Sequence, residues 1–392
     1  MSRIYFDNAA STPVDPRVLS AMEPYFLSEF GNPGSLHSYG QKAIGAVDVS
    51  REAIAHMVGG DFRDVIFTGS ATEANNLALR GTISFFKKTH GQVKVPRIII
   101  SSIEHESILE TARELEKEGV EVIYLPVDHE GIVDVNILKS SLNEDTVFIS
   151  IIYVNNEIGT IQPIKEISKI IRDHKIKTRS KTYPLFHTDA SQAFQFFDCN
   201  IKDLGVDLMT LSAHKIYGPK GIGALKIVAE LAAEITGGGQ EFGMRSGTEN
   251  VPSIVGFAKA MELAVSLRDA ESKRIAELSE VLWKSIKEIF PAAEMNGPTA
   301  ANRSPHILNV CFPGHEAQDL LVKFDRDGIA VSSGSACRSR ASEVSYVIQA
   351  LGFSKERAAA SLRFSLGKQN TKNEIVEATK LFEEIFRSKQ CS

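Results

Sequence analysis

Cysteine is scarce in this chain. Only Cys199, Cys311, Cys337 and Cys391 occur among 392 residues. They are never paired as CxxC, which excludes a disulfide framework and a zinc ribbon and leaves no metal site to expect. No uncharged stretch approaches the ~18 residues a membrane span needs, and the opening Met-Ser-Arg-Ile-Tyr-Phe-Asp lacks the apolar core of a secretory signal. Neither sign of charge dominates. With 44 Lys+Arg against 49 Asp+Glu, a formal charge of -5 argues against a dedicated nucleic-acid binder, which needs a strongly basic face. GxGxxG and GxxxxGK[ST] are both missing, so neither a dinucleotide fingerprint nor a P-loop explains the glycines that are present. These absences predict a cytoplasmic globular protein of a reducing compartment.

At ~150 residues per domain the length fits two or three domains. Short apolar runs (Val65-Ile66-Phe67, Arg97 to Ser101, Val122 to Leu125, Val147 to Val154, Leu208 to Leu211) read as buried strands. Between them lie amphipathic helical patterns, Ser107 to Glu118 and Ile164 to His174 among them. Strand alternating with helix predicts an α/β domain whose mostly parallel sheet is covered on both faces. After the glycine-rich Gly237 to Gly247 and Val251-Pro252 come a long helical pattern (about 258 to 290), strand-like His306 to Phe312 and Ser361 to Leu366, and helices near 317 to 327 and 373 to 388. The expected division is 1–255 as a large domain and 256–392 as a smaller α+β domain, the first ~15 residues packing with the latter. The basic cluster Lys175 to Lys181 reads as a solvated loop.

In a sheet of this kind ligands bind beyond the carboxyl ends of the strands, and there the sequence is unusually polar. Val65-Ile66-Phe67 leads into Thr68-Gly69-Ser70-Ala71-Thr72-Glu73, a small-residue turn entering a helix, suited to a phosphate or simply to helix capping. Further strand ends carry Glu104-His105, Asn155-Asn156-Glu157, His187-Thr188-Asp189-Ala190-Ser191-Gln192 and Ser212-Ala213-His214-Lys215. Any one of these could be a satisfied core group. Together they supply what pyridoxal 5'-phosphate requires: a lysine for its carbonyl, an acid for its ring nitrogen and donors for its phosphate.

Ordered motifs along nearly the whole chain carry a resemblance. They are Tyr5-Phe6-Asp7-Asn8-Ala9-Ala10-Ser11-Thr12-Pro13, Gly31-Asn32-Pro33, Gly69 to Glu73, Val154 to Gly159, His187 to Ala190, Ser212 to Lys215, Arg245-Ser246-Gly247-Thr248, Ser333-Gly334-Ser335-Ala336-Cys337 and Arg363 to Gly367. The chain resembles the NifS/IscS-type cysteine desulfurases among the class V aminotransferase-like enzymes. That resemblance implies fold type I of the pyridoxal-phosphate transferases, with a seven-stranded sheet. It implies that Lys215 holds the cofactor covalently and shuttles the substrate α-proton, and that Asp189 faces the ring nitrogen. His105 would stack on the ring and serve as acid and base, and Gln192 would bond the ring hydroxyl. Ala71, Thr72, Ser212 and His214 would hold the phosphate, with Thr248 reaching it from the partner subunit of a homodimer. Asn156 contacts cofactor and substrate, and with Arg363 grips the carboxylate of L-cysteine.

The resemblance makes Cys337 the acceptor of sulfur, as a persulfide passed on to an acceptor protein for iron–sulfur cluster assembly or thio-modification. Its surroundings, Val331 to Arg340, are small and polar without a core pattern, so exposure is expected. Arg338 and Arg340 favour the thiolate. Cys311, inside an apolar strand pattern, and Cys199 read as structural, and Cys391 as part of a tail. Where relatives carry small or hydroxyl residues after the cysteine and then Glu-Pro-Ser, this chain has Arg338, Arg340 and Glu343-Val344-Ser345, while the spacing to Tyr346 is kept. The sulfur acceptor is therefore open. A selenocysteine lyase or another class V enzyme, and a scaffold that retains the fold without turnover, are the competing readings.

Overall fold

The computed structural model describes residues 3–91, 94–334 and 344–387. Twelve strands are found among them: β1 (Ile4–Tyr5), β2 (Val65–Thr68), β3 (Arg97–Ser101), β4 (Glu121–Leu125), β5 (Thr146–Ser150), β6 (Leu185–Asp189), β7 (Leu208–Ser212), β8 (Gly223–Ile227), β9 (Glu294–Asn296), β10 (Ile307–Cys311), β11 (Ile329–Ala330) and β12 (Ser361–Ser365). Seven form one sheet in the order β2-β8-β7-β6-β5-β3-β4, parallel from β7 to β4, with β8 antiparallel to both its neighbours. The central strands β5, β6 and β7 are buried at every position, as a sheet covered on both faces demands. A three-stranded antiparallel sheet, β12-β10-β9, and the short parallel pair β1-β11 complete the set.

Two large apolar clusters divide the interior. One packs the helices Ser38–Met57, Ile164–Thr178 and the first part of Val251–Ile289 against the big sheet. The other gathers Ile4 and Phe6 with the later part of that long helix, β10, β12 and the helix Lys372–Arg387. The long helix starts at Val251 because Asn250 caps it, accepting from the Ser253 amide at 3.3 Å, with Pro252 in the first turn. It therefore begins about seven residues earlier than the apolar periodicity indicates.

Two other expectations are corrected. The first half of the Lys175 to Lys181 cluster is helical, since Ile164–Thr178 continues through it. Lys175 is drawn to Asp207 at 3.2 Å, and the helix stops only at Arg179, which adopts a left-handed conformation at φ 55°. The strand expected over Val147 to Val154 ends at Ser150. Beyond it the Asn155 side-chain oxygen takes the amides of Glu157 and Ile158, turning the chain away from the sheet.

β12 shows how the smaller sheet serves the site. Alternate residues face opposite ways. Phe364 enters an aromatic cluster with Phe312, Phe324 and Phe382 at centroid distances of 5.9 to 6.4 Å, while its neighbour Arg363 meets Asp7 and the Asn156 carbonyl. Phe364→Ala is expected to cost about 3–5 kcal/mol of stability, read as a lowered urea midpoint. A loss below about 1 kcal/mol would show that this cluster does not hold the strand.

Candidate active site

The carboxyl ends of β2, β3, β5, β6 and β7 meet around a cleft of about 180 Å³. Ala71, Thr72, His105, Asn156, Asp189, Gln192, Ser212, His214, Lys215 and Arg363 all line it, so ten sequence-expected residues converge although they lie on separate strand ends. Thr248 is exposed and does not line it. Cys337, with Arg338 and Arg340, lies outside the described residues, as does Cys391.

At one end of the cleft Ala71 and Thr72 open a 20-residue helix whose cap is Ser70, accepting from the Glu73 amide at 3.2 Å. The free amides and dipole of such a helix start favour an anion. Ser212 and His214 complete that end, with the serine hydroxyl 3.1 Å from His214 Nδ1. Burial, aided by the Lys215 and Lys220 charges, pushes His214 down to about 4. This imidazole is therefore neutral near pH 7.

Lys215 follows β7 in a single 3-10 turn. Its Nζ donates to the Ala9 and Ala10 carbonyls at 2.7 and 2.8 Å. Asp189, the last residue of β6, accepts from the Ser191 amide at 2.9 Å and from Asn75 Nδ2 at 2.8 Å. Asn75 Nδ2 also donates to the Ser107 hydroxyl, which lies 2.9 Å from His105 Nδ1. The Ser107 amide reaches the same Nδ1 at 3.1 Å, so Nδ1 is an acceptor and the proton of the neutral ring sits on Nε2. Asn75 and Ser107 thus set the histidine and hold the aspartate at once.

The sequence singled out neither of them. For Asn75 no local signal marked it, since its burial one turn into the helix shows only in the fold; for Ser107 there was one, its place two residues after a strand-end histidine that caps its own helix. Ala9, Ala10, Ser191 and Ile152 were missed for another reason, since they contribute backbone or small side chains without a chemical signature.

Arg363 is buried. Its Nη2 pairs with Asp7 at 2.8 Å and its Nη1 donates to the Asn156 carbonyl at 2.8 Å. Among the described residues, Arg363 Nε, Asn156 Oδ1, Ser191 Oγ and Asn75 Oδ1 are buried without a hydrogen-bond partner. Buried polar groups are rarely left so. Four such atoms around one polar cleft fit a polar ligand there.

Beneath the cleft the Glu104 carboxyl accepts from Ser101 at 2.9 Å, from Ser150 at 3.2 Å and from the Ile152 amide. Ser150 in turn contacts His187 Nδ1 at 2.9 Å, and His187 Nε2 contacts Thr210 at 3.0 Å. Burial pushes Glu104 up to about 7 and His187 down to about 4. The two described cysteines are removed from the chemistry: Cys199 is buried and its thiol is pushed up to about 12, and burial also raises Cys311.

Comparison with known proteins places the chain in a family. The family described as aminotransferase class-V matches residues 4–377. The chain belongs to this family, in its NifS/IscS branch. It is 42% identical to a cysteine desulfurase IscS of Dictyoglomus turgidum over 97% of this chain and 94% of that one. A solved NifS-like protein superposes with a TM-score of 0.90 at 36% identity, covering 98% and 99% of the two chains. A structure described as SspA in complex with cysteine gives 0.79 at 35% identity, covering 93% and 98%. The class V fold expected from the sequence, a large mostly parallel seven-stranded sheet with a smaller sheet beside it, is thereby established.

The buried groups set a pH dependence for the cofactor-free protein. Between about pH 4.5 and 6.5 an unfolded chain protonates His187, His214 and His306, which the fold keeps neutral, and releases the Glu104 proton, which the fold retains. Three protons gained less one lost leaves two more on the unfolded chain, so stability rises with pH by on the order of 2–3 kcal/mol per unit. Glu104→Gln removes the opposing group and steepens the rise in Tm across that window. A flatter profile in the variant contradicts the assignment.

Proposed function

We propose that this protein is a pyridoxal-phosphate-dependent cysteine desulfurase, converting L-cysteine to L-alanine and moving the sulfur atom to Cys337. The observation that carries the reading is the convergence of a helix start, Asp189, His105 and Lys215 on one cleft with unpartnered buried polar atoms at its walls. These residues fit the cofactor: Ala71, Thr72, Ser212 and His214 would hold its phosphate, Asp189 its ring nitrogen, Gln192 its ring hydroxyl, Asn156 its body, and Lys215 its carbonyl carbon. When bound, it supplies an electron-withdrawing ring that takes up the electron pair released at the substrate α-carbon.

The chain's own residues do the rest. Lys215 Nζ moves a proton to and from the α-carbon, and the Ala9 and Ala10 carbonyls fix where that nitrogen rests. His105 carries its exchangeable proton on Nε2 because Ser107 occupies Nδ1, and so acts there as an acid. Arg363, already committed to Asp7 through Nη2 and to the Asn156 carbonyl through Nη1, contributes its unpartnered Nε–H, with Asn156, to the substrate carboxylate. Cys337 as thiolate attacks the substrate sulfur, breaking its bond to carbon. The thiol becomes a persulfide, and the organic product, one sulfur poorer, leaves as alanine, so L-cysteine and thiol balance alanine and persulfide. Cys199 and Cys311 cannot substitute, since burial keeps both thiols protonated.

The assembly belongs to the same reading. The chain is a homodimer in which Thr248, exposed on the glycine-rich segment, reaches the phosphate site of the partner. It works in the cytoplasm and hands its sulfur to an acceptor protein of iron–sulfur or thio-modification chemistry. No described helix is long and apolar enough to cross a membrane. The separate apolar cores support two domains with Ile4 and Phe6 packed on the second, but Phe257 to Leu263 still belong to the first core, so the passage from one to the other falls within the long helix, later than the 255/256 division expected from the sequence.

Purified protein should show the visible absorption of bound cofactor, and Lys215→Ala should lose its covalent attachment. Cys337→Ala should keep the absorption while alanine release from L-cysteine falls by at least about a hundredfold. Alanine formed by that variant at the normal rate would refute the role of Cys337. Mixed dimers of Thr248→Ala and Lys215→Ala chains test the shared site. Each should contain one site free of both substitutions, and a mixed dimer with no site of normal activity, each site carrying one of the two changes, would oppose the cross-subunit assignment.

A further inference from the structure

His306 lies at the entry to β10, outside the strand ends that build the cleft, yet it is buried and touches one of the cleft's residues. Its Nε2 is 3.1 Å from Gln192 Oε1 and its Nδ1 is 2.8 Å from the Ser304 hydroxyl. The ring stacks on Phe196 at a centroid distance of 4.5 Å and an interplanar angle of 20°. This contact crosses the molecule, joining the segment before β10 to the turn after β6.

The hydrogens along it can be assigned. The Ala9 carbonyl can only accept, so the Gln192 atom 2.9 Å from it is the NH₂ group. The other amide atom is then oxygen and can only accept, so His306 Nε2 must carry a proton. Burial, with the Arg363 and Lys215 charges nearby, pushes His306 down to about 3, so the ring is neutral, Nδ1 is bare and Ser304 donates to it. The two ends therefore agree on one orientation of the Gln192 amide. A residue unable to donate at 306 would leave Oε1 without this partner and weaken the preference for keeping the NH₂ group beside Ala9. The Ala9 oxygen also receives Lys215 Nζ at 2.7 Å, so the same short chain ends at the lysine.

We propose that His306 is a positioning residue for the cofactor: donation from its Nε2 to Gln192 Oε1 fixes the glutamine amide so that an N–H, not a carbonyl, is offered to the ring hydroxyl. This inference rests on the reading of the cleft as a pyridoxal-phosphate site. It assigns to a residue of the smaller sheet's approach segment a part in holding a cofactor whose other contacts lie on the larger sheet.

The test measures affinity rather than turnover. Cofactor-free wild type, His306→Leu, Gln192→Leu and the double variant are titrated with pyridoxal phosphate, following the absorption of the bound form, with far-ultraviolet circular dichroism confirming the fold. His306→Leu should raise the Kd about tenfold, Gln192→Leu by at least as much, and the double variant no further than Gln192→Leu alone, because one acts through the other. His306→Gln, which can still donate, should recover most of the loss. Wild-type affinity in His306→Leu, or a double variant showing the product of the single losses, overturns the proposal. Wild type that binds no cofactor overturns the functional reading instead, and this inference with it. If His306→Leu fails to fold, His306→Gln decides: Kd near wild type sustains the role, and a tenfold rise removes it.

Discussion

The ammonium of Lys215 rests on two carbonyl oxygens that belong to residues about two hundred positions earlier in the chain, Ala9 and Ala10. Around that contact the extreme N-terminal segment is tied on every side. Asn8 and Ala9 donate backbone amides to the main-chain oxygen and side-chain hydroxyl of Ser365, Thr12 donates to the His214 carbonyl, and Asp7 neutralises Arg363. The segment is thus a strap between the end of β12 and the turn after β7. A short, irregular stretch can hold a charged group in place only when its own backbone is fixed, and here both sheets fix it. The cleft is accordingly a property of the whole chain. Neither the large sheet nor the small one contains it.

Burial does much of the electrostatic work. His187, His214 and His306 are all kept neutral, so the cationic side chains lining the cleft are Lys215 and Arg363, the latter balanced by Asp7. A neutral His214 beside a helix start adds a hydrogen-bonding group without a second fixed charge, and a neutral His306 has a defined tautomer. Glu104 is the exception that makes the pattern costly: a carboxyl with no basic partner among the described residues is retained under the sheet by two hydroxyls and an amide. Such networks rigidify the strand ends above them when every member is satisfied.

Much of the architecture was legible in the sequence because period and position carry it. Arg97–Ser101 was delimited residue for residue, and the site residues could be sought after each strand because parallel sheets bind ligands there. What escaped has physical causes. Asn75 and Ser107 act through other residues, and a helix pattern alone does not distinguish a buried amide from an exposed one. His306 is linked to Gln192 over 114 positions, a pairing no local window contains. Arg363 reads locally as a surface strand residue, and only the N-terminal strap, supplying Asp7, explains its burial. The helix extended through Lys175 and the strand cut short at Ser150 both follow from side chains, Asp207 and Asn155, that meet the backbone from outside the run being read.

The residues on either side of 335–343 both meet Glu157, the neighbour of Asn156 in the cleft. Gly334 has φ 129°, a conformation that disfavours a side chain, and a Cβ placed there would stand 3.1 Å from Glu157 Oε2, so this glycine lies close against that carboxylate. On the other side Ser345 donates to that same carboxylate oxygen at 2.6 Å while capping the next helix, and Tyr346 donates to the Glu104 carbonyl at 2.6 Å. The segment bearing Cys337 therefore leaves and rejoins the described structure at one carboxylate, adjacent in sequence to Asn156, with its far end touching the residue before His105.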